Sequence, residues 1–219
     1  MKKFYYLSMV CFILSVVSCS DDETVYSCDK NVNMWVLENI EKIQTMKMEE
    51  WKALPSSKKR AAYGALKKEQ RINFWNRKFD NVLTLNWSLE EQKHILKARN
   101  FVMEHQDYFS GKDLTDEQQN IVDLFCYEWS EIAQNKYGWS KDTIIAIIAS
   151  LDDMNEDKRL TRSGIIDDPF DQNYTDSNCN CNKKYDFCGM TSVCVDERCT
   201  ATPYCGWFLL SQCNGRCEI

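Results

Sequence analysis

Cysteines are the residues of this chain whose number and spacing could do chemistry. Twelve are present, and eight of them lie between residues 179 and 219. The eight are Cys179, Cys181, Cys188, Cys194, Cys199, Cys205, Cys213 and Cys217. Thiols at this density either bind zinc or pair as disulfides. Zinc sites favour pairs separated by about two to four residues, and such spacers are largely missing, so the spacing favours disulfides.

The N-terminus also favours disulfides over zinc, because it predicts export and disulfides persist in exported proteins. Lys2 and Lys3 precede an apolar stretch at 4–17, which is too short for a stable transmembrane helix of about 20 residues. A charged start followed by such a stretch is typical of secretion signals. We therefore expect a signal peptide over residues 1–18.

The end of this signal resembles a bacterial lipobox, in which apolar and small residues precede a cysteine that receives a diacylglycerol. The matching residues are Val16, Val17, Ser18 and Cys19. The resemblance implies that Cys19 is the first mature residue and the lipid attachment site, so that the outer membrane holds the protein. The acidic run Ser20-Asp21-Asp22-Glu23 resembles the signal that displays Bacteroidetes lipoproteins on the cell surface. Ordinary cleavage near Ser18 and a solvated tether over 19–30 are the alternatives.

Export predicts four disulfides in the tail, where Cys179 and Cys181 are too close in sequence to pair with each other. About forty residues cannot build an adequate core, so these bridges would replace it. Outside the tail, Cys28 and Cys126 complete an even number of thiols, and we predict a bridge between them. The alternative is that Cys126 is a small buried residue on a helix.

The tail resembles the bacteriocin fulvocin C-related proteins of Bacteroidetes and myxobacteria. The matching residues are Asn178-Cys179-Asn180-Cys181, Asp186-Phe187-Cys188, Cys194, Cys205-Gly206-Trp207 and Cys213-Asn214-Gly215. The resemblance covers residues 178–219 and implies a secreted antimicrobial peptide whose active part starts just before the first cysteine. Cys217 departs from the family pattern, so no disulfide pairing is carried over.

Residues for catalysis or for metal binding form no recognisable constellation, so we predict no enzyme, no cofactor and no metal site. His94 and His105 lie on one predicted helix, about 16 Å apart along its axis, too far to share a metal ion. Asp153, Asn155 and Asp157 have the first spacings of a calcium loop. Lys158 stands where that loop needs glycine, which argues against calcium.

Charge is distributed unevenly along the chain. The net charge of −6 becomes −8 when Lys2 and Lys3 leave with the signal. Between residues 179 and 219, acidic and basic residues balance, so the body carries the whole negative excess. An acidic body and a neutral tail both argue against a nucleic-acid partner.

Between the tether and the tail, apolar residues recur over residues 31–163 with the period of α-helices, which predicts an all-α helical bundle. Apolar residues in the first part are spaced for one helix face: Val36, Ile40, Ile43 and Met46. Pro55 separates this part from a long helical segment at 57–83, where Trp75, Phe79 and Val82 form a similar face. The next two helices begin with capping boxes, Ser88 with Glu91 and Thr115 with Gln118.

The last two helices are marked by their apolar residues. The core face of the penultimate helix is predicted to contain Val122, Phe125, Trp129 and Ile132, and Gly138 should end that helix. After Ser140, a short and almost wholly apolar helix contains Ile144, Ile145, Ile147 and Ile148. We expect it to be central in the bundle.

The helical periodicity of apolar residues ends before residues 164–178, which we predict to be a linker. We expect proteolytic cleavage near Ser177 and Asn178. Within the tail, the apolar run Trp207, Phe208, Leu209 and Leu210 could contact a target, or could form the tail's own small core.

The leading hypothesis is a surface lipoprotein precursor of a bacteriocin-like peptide that acts on the envelope or a receptor of competing bacteria. The alternative is a non-toxic surface protein whose tail is a recognition module.

Overall fold

The chain folds as a bundle of helices with a short tail that contains strands. The computed structural model describes residues 24–161, 181–185, 193–196 and 202–218. Those residues form eight α-helices, two 3-10 helices and four short strands. The predicted all-α bundle with a small disulfide-containing C-terminal module is therefore confirmed. No helix in the described part of the chain is long and apolar enough to cross a membrane.

The elements follow one another with short connections. The α-helices are α1 (Lys30–Glu38), α2 (Ile40–Ile43), α3 (Met48–Lys52), α4 (Ser56–Ala65), α5 (Lys68–Leu83), α6 (Leu89–Glu104), α7 (Asp116–Tyr137) and α8 (Lys141–Ile148). The 3-10 helices are Gln106–Ser110 and Trp207–Leu209. The strands are β1 (Val193–Asp196), β2 (Thr202–Cys205), β3 (Ser211–Cys213) and β4 (Gly215–Glu218).

Helix α5 lies at the centre of the bundle, in contact with α6, with α8 and with the first 3-10 helix. Its Trp75 and Phe79 are fully buried, with ring centroids 6.0 Å apart. Helix α8 buries Ile144 and Ile147 in the same core, as its apolar sequence predicts, but the central helix is α5 and not α8 as expected. Aromatic side chains of this size each remove about 150 to 250 Å² of surface from water when they are buried, so this pair contributes strongly to the core.

Both predicted capping boxes are present, and they fix where α6 and α7 begin. The Ser88 hydroxyl accepts from the Glu91 amide at 3.3 Å, while the Glu91 carboxylate accepts from the Ser88 amide at 2.8 Å. Thr115 and Gln118 make the same exchange at the start of α7. Gly138 ends α7 in the left-handed conformation, with φ of 67°, as predicted.

The predicted helical segment at 57–83 is not continuous, because the chain breaks between α4 and α5. Leu66 is extended and buried, which turns its side chain into the core instead of continuing the helix. Gln70 then caps the first turn of α5 and donates to the carbonyls of Ile43 and Met46, both at 3.2 Å. A buried leucine and a bridging amide therefore outweigh the helical preference of the sequence.

The core face of α7 differs in part from the prediction. Val122 and Trp129 are buried as expected, but Ile132 remains 39% exposed. Cys126 and Ala133 are buried instead. The buried face of α7 therefore includes small residues, which a search for large apolar residues does not find. Small side chains occur there because they allow neighbouring helices to approach closely.

The strands of the tail form two separate antiparallel pairs. Strand β1 pairs with β4, so that Cys194 lies opposite Cys217 in the register, and β2 pairs with β3. Gly215 starts β4 beside the backbone of Cys181. A Cβ at Gly215 would lie 2.5 Å from the Cys194 sulfur, so only glycine fits at this crossing.

Candidate functional site

Two disulfides join described cysteines of the tail, Cys181 with Cys194 and Cys205 with Cys213. Arg60 of α4 donates its Nη1 to both sulfurs of the second bridge, at 2.6 Å from Cys205 and 3.1 Å from Cys213. This bridge is buried against the bundle. The backbone of Cys217 is described, and Cys179, Cys188 and Cys199 lie outside the described residues. The other two predicted bridges therefore stay predictions.

The predicted bridge between Cys28 and Cys126 is wrong, because Cys126 is a free thiol among the described residues. Cys126 is fully buried on α7, and burial raises the pKa of its thiol well above the usual value. A thiol held neutral in an apolar setting is poorly reactive. Cys126 is thus the small buried residue that the sequence offered as the alternative.

The tail inserts an aromatic side chain into the core of the bundle. Phe208 is fully buried, and its ring lies 5.4 Å from Trp75 in edge-to-face packing and 5.5 Å from Phe101 in a stacked arrangement. Trp207, Leu209 and Leu210 are partly buried against the same core. The predicted target-contact run is therefore largely covered by the helices, and it is not a separate core of the tail either.

A second aromatic side chain of the tail, Tyr204, binds a buried arginine of the bundle. The Arg71 guanidinium donates to the carbonyls of Tyr63, Gly64 and Phe109 at 2.6 to 3.2 Å, and to the Tyr204 hydroxyl at 3.1 Å. The guanidinium also lies 4.9 Å from the centre of the Tyr204 ring. These bonds satisfy a charge that burial would otherwise make costly.

Close approach of Tyr204 requires a glycine on α4. A Cβ added at Gly64 would lie 2.6 Å from the Tyr204 ring. Isolated glycines inside helices often mark close packing, so this residue was a signal that sequence reasoning could have used. Tyr204, Phe208 and Leu209 themselves have φ of 93°, 52° and 57°, which is unfavourable for side-chain-bearing residues. Their packing against the bundle offsets that strain.

A charged cluster fixes the start of the described tail against α7. The Asp123 carboxylate accepts from the Lys184 ammonium, from the Tyr185 hydroxyl and from Gln119, the last at 2.8 Å. Burial would raise the pKa of Asp123, but the bonds from Lys184 and Tyr185 hold it below the ordinary value. Burial and the adjacent Asp123 raise the pKa of Tyr185, so the phenol stays a donor. No sequence signal linked these residues.

A half-open cleft of about 460 Å³ separates α7 and α8 from the tail. Its apolar lining includes Tyr127, Ile144, Ile145, Tyr185 and Trp207, and its polar lining includes Asp123, Ser130, Glu131, Gln134, Lys141 and Lys184. Cavities of about 300 to 1,000 Å³ with this mixture of side chains commonly hold small ligands. The cleft exists because the tail docks on the bundle, since Tyr185 and Trp207 form one wall.

A buried lysine lies on the other side of the bundle. Lys78 of α5 has no exposed surface and donates to the backbone carbonyl of Asp152. Burial lowers the pKa of Lys78 to about 7, although the carboxylates of Asp153 and Asp152 oppose that change. Those carboxylates pair with Lys52 at 2.5 Å and Lys59 at 2.6 Å. The cluster ties the segment after α8 to the bundle.

The two histidines have structural roles. His94 is buried, its Nε2 lies 2.9 Å from the Trp129 carbonyl, and its ring stacks on Trp129 at 4.6 Å. Burial lowers the pKa of His94, which favours the neutral ring. His105 ends α6 beside Phe101 and Tyr108. Across the described residues, His, Cys, Asp and Glu side chains form no group that could hold a metal ion.

Several predicted sites fall outside the described residues. They are the lipid attachment site Cys19, the signal at 1–18, the linker at 164–178 and, within it, the cleavage site at Ser177 and Asn178. The described residues of the tether begin at Thr24, and within them Asp29 caps α1 through its side chain. Comparisons with protein-family models, with curated proteins and with solved structures found no match to this chain.

Proposed function

We propose that this protein is a lipid-anchored surface protein that binds a ligand or partner, with the bundle and the cysteine-rich tail acting as one body. The observation that carries the proposal is the burial of Phe208, a tail residue, among Trp75 and Phe101 of the bundle. A recognition module built on a rigid helical base is typical of binding proteins.

The docking of the tail supports permanent attachment over release of a peptide. Emptying the site of a buried phenylalanine costs about 3 to 5 kcal/mol, because the surrounding core cannot fully close. Release would also break the bonds of Arg71 to Tyr204 and of Lys184 to Asp123. A tail held by such contacts should remain on the bundle even after the linker is cut.

Anchoring and display are part of the proposal and rest on the sequence. Acylation at Cys19 would attach the protein to the outer membrane, and the acidic run after it would favour the outer face. The acidic bundle would then carry the tail away from the membrane surface. On this proposal the partner is a molecule of the cell's surroundings, and nucleic acid is not among the candidates.

Cutting the linker tests whether the tail is a permanent part of the protein. A thrombin site placed between Ser177 and Asn178 allows cleavage of the oxidised protein, followed by size-exclusion chromatography under native conditions. We expect both fragments to elute together and to separate only in denaturant. Separation of the tail under native conditions would contradict the proposal. The uncut protein is the control for elution volume.

A bacteriocin precursor is the second candidate, and one observation favours it. The bundle covers Phe208 and much of the run from Trp207 to Leu210, which is how a precursor would keep an apolar contact surface inactive. Intact mass spectrometry of native cells and medium distinguishes the candidates. A released fragment beginning near Asn178, with growth inhibition by that oxidised fragment, would favour the precursor. Only acylated full-length chain on the cells would favour the binding protein.

A further inference from the structure

The cleft between α7, α8 and the tail has the features of a binding site, and we propose that it takes a neutral small molecule. The ligand has a flat apolar body, which packs between Tyr127 and Trp207, and one hydrogen-bonding group, which pairs with Ser130. The inference deepens the proposed function, on which it rests, by naming the class of ligand.

Ser130 supplies the first argument, because its hydroxyl is buried without a hydrogen-bond partner. Its side chain lines the cleft, and only 8% of the residue is exposed. Nearly all buried polar side chains in folded proteins are paired, so an unpaired hydroxyl in the wall of a cavity is a candidate partner for a polar ligand atom. The hydroxyl can both donate and accept, which leaves the polarity of the ligand group open.

The walls of the cleft supply the shape of the ligand. Tyr127 is 65% exposed on α7, and Trp207 is half-buried on the facing tail. The Trp207 ring is held by edge-to-face packing on Tyr185, with centroids 5.9 Å apart. Two aromatic side chains and Ile145 make the lining favourable for a flat apolar group. The volume of about 460 Å³ fits a molecule of two or three rings.

The charges around the cleft argue for a neutral ligand. Asp123 accepts three hydrogen bonds, including one from the Lys184 ammonium, so its charge is already compensated. Glu131 and Lys141 lie on the lining with opposite signs. An ionic ligand would meet charges of both signs and gain little attraction from either.

Titration with N-phenyl-1-naphthylamine tests the inference, because this neutral probe has flat rings and one N–H, and its fluorescence rises in apolar sites. We expect saturable binding to the oxidised protein with one site per chain. Ser130→Ala should weaken binding about threefold to tenfold, the effect of losing one neutral hydrogen bond. Tyr127→Ala should weaken it by a similar factor through lost ring contact. Leu124→Ala, a similarly exposed change on α7 outside the cleft lining, should have no effect.

A matched ligand separates the hydrogen bond from apolar contact. 1-Benzylnaphthalene has a methylene group in place of the N–H, and its affinity is read by displacement of the fluorescent probe. Its binding should depend on Tyr127 but not on Ser130. If Ser130→Ala weakened the binding of both molecules by the same factor, the proposed hydrogen bond would be contradicted. Absence of saturable probe binding to the native protein would overturn the proposed site. Retention of the tail after linker cleavage is a separate measurement. If the titration fails but the tail is retained, the ligand site in the cleft is rejected, while the permanently docked tail of the proposed function stands.

Discussion

At the scale of single residues, the buried polar groups of this protein divide into those that are paired and those that are not. Arg71 and His94 have partners in fixed positions, which makes them part of the core. Ser130 has no partner, and Lys78 is paired with a carbonyl that cannot balance its charge. The last two residues therefore give the clearest residue-level predictions about pH and binding.

Lys78 should make stability rise with pH above neutrality. Its folded pKa is about 7, against an ordinary 10.5, so between these values the unfolded chain binds more protons than the folded chain. The free energy of unfolding therefore increases with pH through this window. Below the window the lysine is charged in both the folded and the unfolded chain, so the cost of burying its charge no longer changes with pH. The whole effect is on the order of 5 kcal/mol.

Urea unfolding measures the effect in the lower part of this window, because above the ordinary thiol pKa of 9.0 the buried Cys126, whose folded pKa is raised, contributes a slope of opposite sign. Lys78→Met should remove most of the rise in unfolding free energy, because methionine fills the same space without a charge to bury. Lys97→Met, at an exposed position on α6, is the control and should leave the slope unchanged. A slope that survives in Lys78→Met would show that another group dominates the pH dependence.

At the scale of elements, Gly64 decides whether the tail can dock on α4. Gly64→Ala would normally stabilise a helix by about 1 kcal/mol. Here the added Cβ would lie 2.6 Å from the Tyr204 ring, so we expect the opposite sign, with a lower unfolding temperature. Thermal unfolding followed by circular dichroism measures the change.

A second substitution makes the Gly64 prediction specific. Tyr204→Leu is smaller at the contact, so Gly64→Ala should cost less in that background than in the native protein. The coupling is expected although Tyr204→Leu itself destabilises the protein by leaving the Arg71 guanidinium with fewer partners. Additive effects of the two changes would contradict direct contact between α4 and the tail.

The elements that sequence could predict are those with local causes. The capping boxes at Ser88 and Thr115 involve residues three positions apart, and both are present. The break at Leu66 was missed, because its cause is burial and the bonds of Gln70 to carbonyls more than twenty positions away. The docking of Phe208 on Trp75 was missed for the same reason, since no pattern within the tail specifies a partner in the bundle.

At the scale of the whole molecule, the tail and the bundle share one core. The cysteine-rich segment was expected to depend on its bridges alone, but Phe208 and Tyr204 belong to the core cluster of the helices. The cleft follows from this arrangement, because one of its walls is the tail. Two parts that share a core should unfold together.

Phe208→Ala tests this cooperativity. If the tail were an independent module, the change would leave helix unfolding unaffected. Because the ring is fully buried among Trp75 and Phe101, we expect the helical transition itself to lose about 3 to 5 kcal/mol. Urea unfolding followed by circular dichroism, which reports the helices, measures the loss. Val193→Ala, on an exposed position of the tail, is the control and should leave the midpoint in place. An unchanged helical transition in Phe208→Ala would mean that the bundle folds without the tail, which would favour a releasable peptide over a permanent binding module.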